Sequence, residues 1–329
     1  MIVLVTGATG FVGRRLCERL AADGVQVRAT YRSSHQSATA GIEWRQLPRF
    51  DDVQAWLALL PGVDTVIHLA ALAHQVGRSG MGRWCEFEHA NVTCTAALVR
   101  ACAIAGTPRF VFLSSIAVHG AASDRRIDVH ACTNPVTDYG RSKLLAEQAI
   151  QTALGNSGTD WCIIRSPLVY GPGNPGNMER LLRLMRTGMP LPFGAIRNLR
   201  SFIFVDNLVD ALVTASRREA PIRNSYVVAD GTDMSTPELV GALAEASGMR
   251  ARVFAMPVWM LRLMAKVGDF IEMGTGRMVP FNSYSIDRLR ESLSVDGSAF
   301  ATAFRWAAPV APATALRVTC HQITDKDQR

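Results

Sequence analysis

Ile2-Val3-Leu4-Val5-Thr6-Gly7-Ala8-Thr9-Gly10-Phe11-Val12-Gly13 opens the chain. An apolar, β-branched run leads directly into glycines spaced G-x-x-G-x-x-G. Behind them, Arg14-Arg15-Leu16-Cys17-Glu18-Arg19-Leu20-Ala21 is patterned as a helix. Strand, glycine turn and helix in that order make the setting of a dinucleotide-phosphate cradle. Gly7 suits the tight turn, Gly10 a close approach of backbone to pyrophosphate, and Gly13 close packing of helix on strand. Free N–H groups and the positive dipole end of the helix favour phosphate there. Thr9, Phe11 and Val12 belong to the same cradle.

The pattern continues down the chain. Val25–Thr30, Thr65–Ala70, Phe110–Ser114 and Trp161–Arg165 read as strands, with helical stretches at Asn91–Ala105 and Tyr139–Leu154. Near-continuous apolar strands alternating with helices predict a parallel sheet covered on both faces. The fold class is therefore α/β, a doubly wound parallel sheet of Rossmann type with a smaller, interleaved C-terminal domain. Residues 1–165 form the expected dinucleotide-binding domain, with 202–230 returning to it. Residues 166–201 and 231–329 form the expected substrate domain, announced by prolines and glycines crowded between Pro167 and Gly176. A helix at Met178–Arg186 and strands at Ser201–Val205 and Tyr226–Ala229 follow. Phe254–Met264 is rich in Met and apolar residues and reads as a core or domain-packing helix rather than a membrane-surface one.

Composition narrows the class. A chain of 329 residues with 48% hydrophobic content can bury a large core. It enters a strand at once, with no charged and apolar leader and no apolar run of about 18 residues, so no membrane span is expected and the cytoplasm is the expected location. Seven cysteines are scattered without a C-x-x-C pair, which suits reduced thiols and no metal. The net charge of +7 comes from arginines spread along the chain, so nucleic acid is not the expected partner and an anionic small molecule is.

The second informative stretch is Tyr139-Gly140-Arg141-Ser142-Lys143. Residues i and i+4 share one helix face, here a phenol and an ammonium. A free phenol titrates near ~10 and is a poor base at neutral pH. A neighbouring ammonium favours the phenolate and is expected to lower that value, so Tyr139 can exchange a proton with a substrate hydroxyl or carbonyl. Ser114 and Ser115 end an apolar strand, and strand carboxyl ends face the ligand crevice in such sheets.

With these motifs in place the chain resembles the extended short-chain dehydrogenases/reductases of the nucleotide-sugar epimerase/dehydratase/reductase type. The resemblance also rests on His68-Leu69-Ala70-Ala71, Asn91-Val92-Thr93, Phe112-Leu113-Ser114-Ser115, Val169-Tyr170-Gly171-Pro172 and Arg200 to Asn207. It implies Tyr139 as acid/base and Lys143 as the group that binds the nicotinamide ribose and tunes it. The family's catalytic Ser/Thr stands five residues before a glycine, here Gly120, which selects Ser115 over Ser114. The resemblance further implies Asn91 as support of a proton relay. Leu69, Ala70, Ala71 and Pro167 would line the cofactor, Asn177 and Arg200 would contact a sugar-nucleotide diphosphate, and Phe193 would stack on uracil. His119 replaces a common tyrosine and reads as a polar wall. The Asp-Glu pair of dehydratases is missing, since Ile116-Ala117 follow Ser115, which argues against dehydration.

The end of the second strand, Thr30-Tyr31-Arg32-Ser33, carries no carboxylate. Arg32 there accommodates a 2′-phosphate, so NADP is expected, with NAD as the alternative. The first expectation for function is reduction of a UDP-linked 4-keto-6-deoxy-hexosamine. A UDP-hexose or UDP-N-acetylhexosamine 4-epimerase is the alternative, and a non-catalytic NADP-sensing regulator a third. Small and apolar residues on more than one face of the two long helices (Ala96, Ala97, Val99, Leu144, Ala146, Ile150) predict a homodimer.

Overall fold

In the computed structural model, residues 1–32, 40–47, 49–72, 83–174, 177–217, 221–275 and 283–327 are described. The first half runs β1 (Ile2–Thr6), α1 (Phe11–Ala22), β2 (Gln26–Tyr31), β3 (Ile42–Gln46), α2 (Val53–Leu57), β4 (Thr65–His68) and α3 (Trp84–Phe87). It continues through α4 (Cys94–Ala105), β5 (Arg109–Ser115), α5 (Asp138–Leu154) and β6 (Asp160–Ser166). The second half holds β7 (Leu168–Tyr170), α6 (Asn177–Arg186), β8 (Phe202–Phe204), α7 (Val205–Arg217), β9 (Arg223–Val227) and α8 (Thr236–Ser247). Four more helices follow: α9 (Val258–Thr275), α10 (Ser283–Arg290), α11 (Ser298–Phe304) and α12 (Pro312–Asp327).

Seven strands form one sheet in the order β3-β2-β1-β4-β5-β6-β9, all parallel. The order reverses between β1 and β4, which opens a crevice at their carboxyl ends. Period-two alternation divides the strands between two cores. Val3, Val5, Ile67, Val111 and Ile164 pack beneath α1 and α7. Leu4, Val66, Phe110, Phe112 and Ile163 pack beneath α2, α4 and α5. A third core gathers Tyr170, Leu182, Phe193, Phe202, Phe204, Leu243 and Leu316 from the second half.

Several expectations need correcting. Within the 202–230 segment α7 packs on the central sheet and β9 joins it, whereas β8 pairs with β7. The helix expected from Asn91 begins earlier. α3 passes into a π-helical turn, Glu88–Thr93, before α4. The polar edge strand β3 and the short β7 lack the apolar runs by which the others were read. The Met-rich helix α9 buries only a narrow seam. Leu261 and Ala265 are fully buried, whereas Trp259 is 66% and Phe270 71% exposed. Finally, Ala97, Val99, Ala146 and Ile150 already lie in the protomer's own core, and of the residues read as a dimer face only Ala96 and Leu144 remain half-buried.

Candidate active site

Gly7 sits at φ +71° where β1 gives way to α1, and a Cβ there would lie 2.7 Å from the backbone nitrogen of Ala70. At Gly13 a Cβ would stand 2.2 Å from the Gly7 carbonyl oxygen, so α1 packs against its own turn. Gly10 caps α1 without a side-chain acceptor, and no acidic residue occupies the first turn. Phe11 and Val12 begin that turn. An anion is the natural complement of such a helix start. Gly7, Thr9, Gly10, Arg32, Leu69, Ala70 and Ala71 line one cleft of about 150 Å³, together with Tyr31, Leu47, Phe50, Ala90 and Cys94. Glycines at φ and contact limits that exclude side chains, beside an uncapped helix start, fit a dinucleotide phosphate. Arg32 follows the last residue of β2 and is exposed. No carboxylate lines the cleft among the described residues. Ser33 and Ser34, which follow it, lie outside the described residues.

At the far end of the crevice β5 delivers Ser115 and α5 delivers Tyr139 and Lys143. Thr137 caps α5, its hydroxyl oxygen accepting from the Gly140 N–H at 3.1 Å. Gly140 brings the start of α5 hard against the turn after β5, since a Cβ there would meet the Ala117 carbonyl oxygen at 2.4 Å. The Tyr139 and Ser115 side chains are hydrogen-bonded to each other. Burial raises the phenol above its ordinary 10.0, opposed by that hydrogen bond. The lowering expected from Lys143 is not found: desolvation and the Ser115 hydrogen bond are the causes that act on the phenol. Lys143 Nζ instead donates to the Leu113 carbonyl at 2.8 Å and lies 4.5 Å from the Phe112 ring centre. Burial brings its ammonium down to about 7, against the pull of Glu147.

Ser114 is otherwise engaged. Buried, it donates its hydroxyl to Glu147 Oε1 at 2.5 Å. Arg165 closes on the same carboxylate at 2.7 and 3.1 Å and donates to His119 Nε2 at 3.1 Å. That bond leaves His119 Nδ1 to donate to the Cys132 carbonyl at 3.0 Å, and burial lowers its pKa. His119 is therefore a neutral wall group, as expected. Glu147 and Arg165 were missed, although Glu147 repeats the Tyr139–Lys143 spacing one turn further on.

Asn91 is buried in the π-helical turn. Its Oδ1 accepts from Leu72 N–H at 2.7 Å, and its Nδ2 donates to the Leu72 carbonyl at 3.2 Å and to Ser142 Oγ at 2.9 Å. Ser142 in turn donates to the Tyr139 carbonyl at 2.9 Å. A second chain reaches Asn91 from the cradle. Thr6 Oγ1 donates to His68 Nδ1 at 2.6 Å, His68 Nε2 to Thr95 Oγ1 at 3.0 Å, and Thr95 Oγ1 to the Asn91 carbonyl at 2.6 Å. The last bond uses the Thr95 proton, which fixes the direction of the others and a neutral, Nε2-protonated His68. Burial depresses His68 to about 3. His68 was quoted for its segment and not for this link.

The remaining predicted residues lie on the C-terminal side. Pro167 is buried between β6 and β7, beside the crevice end of β6. Arg200 is half-buried, and its backbone is paired with Met234 in both directions. Phe193 is 2% exposed within the third core, so it fills that core and does not line the described cleft. Asn177 begins α6, and its side chain lies outside the described ones. Among the described residues no cluster of three or more His, Cys, Asp or Glu is placed to hold a metal, and no helix is long and apolar enough to cross a membrane.

The glycine cradle follows the carboxyl end of β1, Ser115 stands at the carboxyl end of β5 in the same parallel sheet, and the model of the NAD dependent epimerase/dehydratase family matches residues 3–229. The chain belongs to that family. It is an enzyme, and relatives match it over most of its length. A UDP-glucose 4-epimerase of Vibrio cholerae is 31% identical, with 93% of this chain and 90% of the relative covered. An N-acetyl-α-D-glucosaminyl-diphospho-ditrans,octacis-undecaprenol 4-epimerase of Escherichia coli O157:H7 is 27% identical, with 90% and 87% covered. The structure of MoeE5 in complex with UDP-glucose and NAD superposes with TM-score 0.75 at 25% identity, covering 100% of both chains.

Proposed function

We propose that this enzyme interconverts the C4 epimers of a UDP-linked hexose or N-acetylhexosamine. The observation that carries the reading is the Ser115–Tyr139 hydrogen bond, with Lys143 one turn further along α5. Similarity to 4-epimerases over nine-tenths of the chain supports the choice of reaction, and moves the balance away from the reductase first expected.

Gly7, Thr9, Gly10 and the start of α1 would hold the cofactor diphosphate, with Leu69 to Ala71 beside it. Lys143 would hold the nicotinamide ribose, and Pro167 would stand near the ring. When bound, the nicotinamide supplies a hydride acceptor and donor at C4. Tyr139 takes the O4 proton as the alcohol becomes a ketone and returns it when the other face of C4 is reduced. Ser115 holds O4 in reach of the phenol. Burial, which raises Tyr139, keeps the resting phenol protonated. Its action as base relies on the charge of Lys143. Asn91 supports the relay by fixing the start of α5. Arg200 and Asn177 would meet the substrate diphosphate. Phe193 would have to turn from its core position to stack on uracil.

The second reading, reduction of a UDP-4-keto-6-deoxy-hexosamine, draws on one observation. From Thr30 to Gly41 the sequence has no carboxylate and only Arg32 as a cation, which suits NADP(H) exchanged at each turnover. One experiment separates the two. The purified enzyme is given UDP-glucose or UDP-GlcNAc with no added cofactor and assayed for the C4 epimer. Epimer formation with retained NAD supports the first reading. NADPH oxidation matched one-to-one by a 4-keto sugar, with no epimerisation, replaces it with the second.

A further inference from the structure

Helix α9 is the largest apolar feature left uncovered among the described residues. It touches the third core through Leu261 and Ala265, both fully buried, with Gly268 beside them. At 3.6 residues per turn, Trp259, Leu263, Val267 and Phe270 fall on one face, away from that seam. They are 66%, 59%, 56% and 71% exposed. Met260, Met264, Ile271 and Met273 widen the face. Soluble surfaces carry scattered apolar side chains but seldom a contiguous face of this kind without a partner.

We propose that α9 is an interfacial helix that docks this enzyme on an anionic lipid bilayer, lying flat with Trp259, Leu263, Val267 and Phe270 in the headgroup–acyl boundary. Three observations choose the bilayer. The helix is amphipathic and carries charges, so it suits lying on a membrane and does not span one. Arg262 and Lys266 are exposed along the border of the apolar face, where long cationic stems reach lipid phosphates while the face inserts. Charge agrees more widely. Between residues 248 and 290 the sequence has seven Arg and Lys against three Asp and Glu, in a chain of net charge +7. A second copy is the weaker occupant, because a helix held by a narrow seam and by α10 along its polar edge stands as a ridge. Two convex ridges cover little of each other, whereas a bilayer yields to one. The proposal is independent of the sugar and cofactor assigned above.

Flotation of the full-length enzyme with vesicles tests it. We expect binding to vesicles of phosphatidylcholine mixed with anionic phosphatidylglycerol, and little to phosphatidylcholine alone. Binding should fall at high salt, as a charge-assisted contact must. The variant Leu263→Asp/Phe270→Asp should bind about tenfold less or worse, since each change removes buried apolar area and adds charge. Turnover and melting temperature of the variant show that it remains folded, because neither residue touches the crevice. A gentler variant, Lys266→Gln, should weaken binding to anionic vesicles alone. Absence of wild-type binding to any vesicle overturns the proposal. If the double variant also lowers the mass seen by light scattering while vesicles are ignored, the face belongs to a second copy.

Discussion

At the scale of single residues, Tyr139 has no substitute. It combines contact with Ser115 and a cation one turn away on the same helix. Tyr139→Phe keeps the ring and its packing and removes only the proton path. Turnover should fall by about 10²–10⁴-fold while dinucleotide binding changes little. Retention of most of the activity would remove Tyr139 from the chemistry. Arg32 is proposed to bear on the choice of cofactor in a separate way. A charge-assisted contact to a 2′-phosphate is worth about 1.5–3 kcal/mol. Arg32→Asp should therefore weaken NADP(H) by roughly ten- to a hundredfold relative to NAD(H), measured as two dissociation constants. An unchanged ratio would mean that the guanidinium merely stacks near the adenine. Ser115, Tyr139 and Lys143 were legible because their spacing and strand-end position are local. Glu147, Arg165 and His68 were not, because their work depends on partners 18 to 33 residues away or more, brought together only by the sheet.

At the scale of elements, the start of α5 is the part most tightly specified. Thr137 caps it, Gly140 presses it onto the turn after β5, and Asn91 holds it through Ser142. Gly140→Ala leaves every side chain of the site intact yet puts a Cβ 2.4 Å from a carbonyl oxygen. The helix start must shift, so kcat should fall by at least tenfold even where the protein stays folded at assay temperature, because misplaced catalytic groups cost rate steeply. Steady-state kinetics beside a melting curve would check this, and a kcat equal to wild type would show that the close approach is not needed for reaction geometry. Long apolar elements such as β1, β4, β5 and β6 were readable because burial on both faces writes itself as an unbroken apolar run. β3 is polar at the sheet edge, β7 has three residues, and the π-helical turn follows no simple period, so none left a comparable signal. For α9 the apolar content was read and its direction was not, since composition alone does not say which way a face turns.

At the scale of the whole molecule, the buried histidines set the response to acid. His68 titrates at about 3 in the fold against an ordinary 6.5, and burial also lowers His119. The unfolded chain therefore binds more protons between those values, and stability rises with pH there. The contribution is fully present above about pH 6.5 and is lost progressively as pH falls towards 3. Urea midpoints at pH 7.5 and 5 should differ in favour of the higher pH, with the difference smaller in His68→Gln; equal slopes in both proteins would place the acid sensitivity elsewhere. We also propose a homodimer through α4 and α5, where Ala96 and Leu144 stay partly exposed, and a monomer by light scattering would remove it. We propose that the whole molecule serves hydride exchange at C4 of a UDP-sugar with proton transfer through Tyr139. The most direct measurement is the conversion of UDP-glucose or UDP-GlcNAc by the purified protein without added cofactor, followed by NMR of the C4 proton. Wild type should form the C4 epimer and Tyr139→Phe none; no epimer from a folded wild-type enzyme that retains its dinucleotide would contradict this assignment.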